Sequence, residues 1–235
     1  MDSTPGNPFV SVAEADASDR SLFIRRTYFH LAGALLAFGC LEAYLLHMPG
    51  VEGMVSTMIG GRAGWLVTLL AFMGASWIAD RLARSEASQG LQYVGLGLYV
   101  VAEAVIFVPL LYIAMRYSSS DVIPMAGIMT GLLFAGLTST AFITRKDFSF
   151  LSGILAIGSC VALGVIVCSM LFSFNLGLIF SAVMVAFAGG SILYTTSNII
   201  HHYRTDQHVA ASLALFSGVM LMLWYVVRIL MSSRK

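Results

Sequence analysis

The chain has 235 residues, of which 58% are hydrophobic and 11% charged, and its mean hydropathy is +0.86. Soluble globular proteins carry about 25% charged residues, so this composition excludes that class and predicts an integral membrane protein. The formal net charge of +1 comes without any basic run, which argues against a nucleic-acid surface.

Residues 1–24 are polar and acidic (Asp2, Glu14, Asp16, Asp19), contain Pro5 and Pro8, and show no periodic apolar face. They read as a mobile tail ahead of a membrane domain over 25–235. Arg25 and Arg26 precede an apolar run to Leu46. Although Ala37-Phe38-Gly39-Cys40 faintly resembles a lipoprotein cleavage site, the chain beyond it is more membrane rather than an exported domain, so the run is read as a retained first span.

Seven stretches are long enough to cross about 30 Å of hydrocarbon: 27–46, 64–82, 91–115, 122–144, 150–172, 176–200 and 209–230. Short connections leave no room for a soluble domain. Long continuous apolar runs exclude a β-barrel, and a chain in lipid must satisfy its own backbone. The expected fold class is therefore an all-α membrane protein, a bundle of seven transmembrane helices.

With the N-terminus inside, Arg20, Arg25, Arg26, Arg81, Arg84, Arg145, Lys146 and Arg204 collect on the inner side, and the outer loops hold Arg62 and Arg116. This bias predicts a cytoplasmic N-terminus in a cell inner (plasma) membrane. With seven spans Arg228, Arg234 and Lys235 lie toward the outer side; with one segment re-entrant rather than spanning, both termini lie inside.

Polar residues inside spans are costly in hydrocarbon and mark candidate sites. Glu103 lies in the middle of the third span, six residues before Pro109, whose missing N–H frees a carbonyl. Glu42 lies near the outer end of the first span, where it is expected to snorkel to the interface. Thr195, Thr196, Ser197 and Asn198 form a polar quartet at the end of the sixth span, after the small-residue run Ala188, Gly189, Gly190, Ser191, which lets another backbone approach. His201, His202 and His208 crowd the next connection and read as a titratable loop that gains positive charge below about pH 6.5. Their HH-x5-H spacing matches no common metal-ligand pattern, so no metal or other cofactor is expected. Cys40, Cys160 and Cys168 have no CxxC or Cys/His spacing and read as small buried hydrophobes.

No catalytic residue is expected. Ser191 lacks the following glycine of a nucleophile turn. Asp80, Asp121, Asp147 and Asp206 all lie at span ends or in loops. The lysines, Lys146 and Lys235, leave none inside the last span to hold a retinal.

Four stretches carry a resemblance: GLTSTAFITRKDFSFLSGIL (136–155), EAVIFVPLLY (103–112), SILYTTSNIIH (191–201) and HVAASLALFSGVMLMLW (208–224). Together they resemble the Bax inhibitor-1 family, also called TMBIM, and within it the bacterial YccA-like branch. The RKDFSFL run is the most specific part, and Ala104 stands where the family has glycine. The resemblance implies a seven-helix fold with the last helix surrounded by the others. It also implies two kinds of activity: modulation of a membrane protease of the FtsH type through direct binding, and a pH-sensitive leak of calcium or another cation, gated by paired aspartates on helices six and seven. Those aspartates fall on Thr195 and on Gly218 (or Ser217, if the alignment shifts by one). Two close acids share a proton and titrate apart, which a threonine and a glycine cannot do. The protease modulator is therefore the preferred expectation. The leak is the alternative, with Glu103 as its remaining buried charge and Thr195, Ser197 and Asn198 at its inner mouth.

Overall fold

The computed structural model describes residues 11–85, 88–172 and 174–233. Residues 1–10 of the expected tail, with Arg234 and Lys235, lie outside the described residues. Among the described residues eight helices follow in chain order: α1 (Ala17–His47), α2 (Val51–Ile59), α3 (Gly61–Ala83), α4 (Gln89–Tyr117), α5 (Val122–Thr144), α6 (Leu151–Phe172), α7 (Gly177–His201) and α8 (His208–Ser233). Seven of them are long and apolar enough to cross a membrane, so the chain is an all-α, multi-pass membrane protein.

The eighth, α2, falls in a stretch read from sequence as a loop. Its nine residues are too few to span. Gly50, at φ 93°, turns the chain into it, a left-handed conformation that glycine adopts without a steric cost. Val51, Val55 and Met58 then recur on one face, and the two valines pack on Val108 and Tyr112 of α4. That spacing is visible in the sequence, but a single apolar stripe nine residues long carries little weight beside the hydropathy of the spans.

Burial is uneven, for a reason particular to lipid. Hydrocarbon tails are as apolar as leucine, so hydrophobicity alone does not sort side chains into the bundle interior; packing does. On α1 the buried residues form one stripe, Phe23, Thr27, Leu31, Ala34, Phe38 and Glu42, the spacing of a single helical face. In α8 the residues from Val209 to Leu213 are all buried. Such a run covers more than one turn, so no side of that end reaches the surface. This helix packs against α1, α3, α4, α5 and α7. By contrast α6 buries only Ala162. Cys160 and Cys168 of α6, like Cys40 of α1, are exposed rather than buried, because lipid accepts them as readily as protein would.

One glycine holds two spans together. A Cβ at Gly95 would stand 2.5 Å from the backbone nitrogen of Ala83 and 2.6 Å from the carbonyl oxygen of Ala79. Helices α3 and α4 meet backbone to backbone at that point, which only glycine permits.

The first helix begins at Ala17 rather than residue 27, and residues 11–24, assigned from sequence to the tail, are held in place. Val12 donates its N–H to the Tyr203 carbonyl at 2.9 Å, Ser11 bridges to Arg204, and the Val12 side chain is fully buried in the main core cluster. Arg20 folds back to donate through Nε to the Val12 carbonyl at 3.1 Å. The polar composition hides this arrangement, since the anchor is one valine and two backbone groups.

Candidate functional site

The polar quartet at the end of α7 is built into the bundle rather than facing lipid. Thr195, Thr196 and Ser197 are buried. Ser197 ties α7 to the α5–α6 connection: its hydroxyl accepts the Phe148 N–H at 2.9 Å and donates to the Lys146 carbonyl at 3.4 Å. Arg145 opens that connection at φ 49°. Asp147 then accepts the Ser149 N–H at 2.8 Å, and this bond, with His202 and His201 nearby, holds the carboxyl below the usual carboxylate range. The most specific run of the family resemblance, RKDFSFL, is thus a loop whose backbone is fastened by a serine of α7. Ser197→Ala strands the Phe148 N–H and is expected to cost about 1–3 kcal/mol. Denaturant unfolding together with amide exchange at Phe148 measures it, and unchanged protection there contradicts it.

The three histidines do not form one exposed loop. His201 Nδ1 pairs with the Ser197 carbonyl at 3.0 Å. His202, half-exposed, stands 3.8 Å from Asp147 Oδ2. His208 starts α8 and is buried; its ring centroid lies 5.1 Å from that of His30, and its Nδ1 has no hydrogen-bond partner. A residue at the first position of an enclosed helix goes inside with that helix, which the loop-like local sequence does not reveal. Among the described residues no three His, Cys, Asp or Glu side chains converge as metal ligands would.

Two cavities enter the bundle from opposite ends. One, of about 440 Å³, opens beside the docked N-terminal segment and is lined by Arg84, Tyr194, Thr195, Asn198, His202, Tyr203, Gln207 and Ala214. The other, of about 430 Å³, lies at the opposite end, beside the α6–α7 connection, among Trp65, Tyr99, Glu103, Phe107, Asn175, Ser217, Trp224 and Arg228. On α8 the two linings come as near as Ala214 and Ser217, about 4.5 Å of helix at 1.5 Å per residue. The Tyr99 hydroxyl donates to Ser217 Oγ at 2.9 Å, and Tyr99, Ser217 and Glu103 all line the second cavity.

The candidate residues fall into different surroundings. Glu103 is 5% exposed and lines the apolar cavity. Thr195 and Asn198 line the polar one, whereas Ser197 serves the loop. Gly218 belongs to neither lining: a Cβ there would meet Ile192 Cγ1 at 3.0 Å, with the Ile192 backbone nitrogen and Ser191 Oγ both at 3.9 Å. Ser217, the alternative alignment position, faces Tyr99. Glu42 does not snorkel. It is 4% exposed, and neither carboxyl oxygen has a hydrogen-bond partner. Its place is legible in the sequence, because it continues the α1 core stripe one turn beyond Phe38; nearness to the span end points instead to the interface.

Comparison with known proteins is consistent along the chain. The family model described as inhibitor of apoptosis-promoting Bax1 matches residues 20–235. An uncharacterized protein of Pseudomonas aeruginosa is 32% identical over 220 residues, covering 88% of this chain and 87% of its own. The modulator of FtsH protease YccA of Escherichia coli is 29% identical over 199 residues, 82% of each chain. Protein LIFEGUARD 4 of Arabidopsis thaliana is 26% identical over 204 residues, 84% of this chain and 79% of its own. No solved structure matches the chain.

Proposed function

This chain belongs to the Bax inhibitor-1 family, and from that membership we propose that it is a membrane regulator that binds and modulates a membrane protease of the FtsH type. Support comes from the Escherichia coli relative, named as a modulator of FtsH protease. Within the structure one observation carries the reading: residues 11–24 join the α7–α8 connection through the Val12–Tyr203 and Ser11–Arg204 pairings. They make a fixed polar surface at one end of the bundle, and Arg20, Arg84, Arg145 and Arg204 lie in the segments and connections at that end. The charge bias supports a cytoplasmic side for this end, where a partner would meet it.

Val12→Asp puts a carboxylate where a fully buried valine sits and is expected to release the residues ahead of α1, with the spans' own helices kept. Co-purification with FtsH from native membranes should then fall for the variant and hold for the wild type. Equal recovery of FtsH by both proteins, or by neither, overturns the reading.

The cation leak is the second reading, and it is favoured by the two cavities that approach within about one turn of α8. In calcium-dye liposomes it requires flux above that of empty vesicles and a loss of that flux in Glu103→Gln. Equal flux in wild type, variant and empty vesicles rules it out.

A further inference from the structure

The cavity beside the α6–α7 connection has walls of one kind and a floor of another. Trp65 and Trp224 stack with centroids 6.2 Å apart, and Phe107 meets Trp224 edge-on at 5.0 Å. Below them lies Glu103, 5% exposed and the only carboxylate among the lining residues. Aromatic faces attract a cation through their negative quadrupole, most strongly where water is excluded. A carboxylate at the closed end fixes which end of a ligand enters first. Inorganic divalent cations favour sites with several charged or carbonyl oxygens; with Glu103 as the one carboxylate among mostly aromatic and aliphatic lining residues, this wall suits an organic cation better.

We propose that this cavity binds a small organic cation, an amine or quaternary ammonium compound, with its charged group against Glu103 and its apolar body against the aromatic cluster of Trp65, Phe107 and Trp224, which packs ring on ring and lines the cavity. Arg228, at the mouth about 10 Å farther along α8 from the level of Glu103, repels a cationic group that stops short and tolerates an acidic one. Both features orient the ligand with its positive end inward. A volume of about 430 Å³ falls within the range of small-molecule sites, which are mostly apolar with a few placed polar groups. The inference goes beyond both readings above, since it is tested by binding with neither FtsH nor flux.

The experiment is calorimetric titration of the full chain in lipid nanodiscs, with empty nanodiscs subtracted. The probes are benzyltrimethylammonium and, as its charge-reversed counterpart, benzenesulfonate. Saturable binding of the ammonium probe is expected, about tenfold or more tighter than the sulfonate, weakened at least about tenfold by Glu103→Gln and retained by Glu103→Asp. Equal binding by wild type and Glu103→Gln, or no preference for the ammonium probe, overturns the proposal. If Glu103→Gln does not fold, the wild-type preference between the two probes decides alone.

Discussion

Gly218→Asp lowers the stability of the bundle by about 3 kcal/mol or more instead of restoring an acid at the family's position. The first atom of the new side chain would stand 3.0 Å from Ile192 Cγ1, tighter than van der Waals contact. Beyond it the carboxyl would enter a helix contact in which the polar atoms near the new Cβ are the Ile192 backbone nitrogen and Ser191 Oγ, each at 3.9 Å. A buried carboxyl without partners either stays charged at great cost or takes up a proton and still lacks its hydrogen bonds. Gly218→Ala separates the two costs. It makes the same close contact with Cγ1 of Ile192, a β-branched side chain with little freedom to turn aside in a helix, and is expected to lose about 1–2 kcal/mol. Unfolding in mixed micelles, titrated with denaturing detergent, reads both variants. An aspartate variant as stable as the wild type would mean that α7 and α8 have room for a carboxylate there.

Phe216→Ala is the second large effect, at about 3–5 kcal/mol. Phe216 is fully buried and touches Phe38 of α1 and Tyr99 of α4, with ring centroids 6.2 and 6.0 Å away. Phe38 in turn meets Phe107 at 5.2 Å, so these rings join α1, α4 and α8 at one level. In lipid the loss is of packing contacts rather than of water exclusion, and the cavity left behind has no atoms to fill it. Ile179→Ala on α7 is the matched control. That side chain is 82% exposed and is expected to change stability by less than about 0.5 kcal/mol. The same unfolding titration compares them, and similar losses for the two would mean that burial within the bundle contributes little.

The spans are legible because each apolar run is its own signal in a membrane, and the seven stretches read from sequence coincide with seven helices to within helix ends at most places. What faces what is much less legible. Apolar side chains face lipid or protein with equal ease, so Cys160 and Leu215 look alike in sequence although one is exposed and the other fully buried. Polar residues are better markers: Glu103, Thr195 and Ser197 all stand out in the sequence, and all are buried. Their partners do not stand out, since the Ser197 contacts are to the backbone at positions 146 and 148, which no side-chain pattern encodes. The docking of the N-terminal segment escapes a sequence reading for the same reason. Glu42 is the instructive case, because the four-residue and three-residue steps from Phe23 to Phe38 already point at it.

The family resemblance supplies the expectation of an acid pair, and the departure at Thr195 and Gly218 shifts weight toward a protein partner. The geometry adds that these two positions lie in separate surroundings, one in a polar cavity and the other in a tight helix contact. The proposed modulation of a protease is read out in the rate at which FtsH degrades a membrane substrate in proteoliposomes with and without this protein. A changed rate is expected with the wild type and an unchanged rate with Val12→Asp; a rate unaffected by wild-type protein in molar excess would contradict the claim.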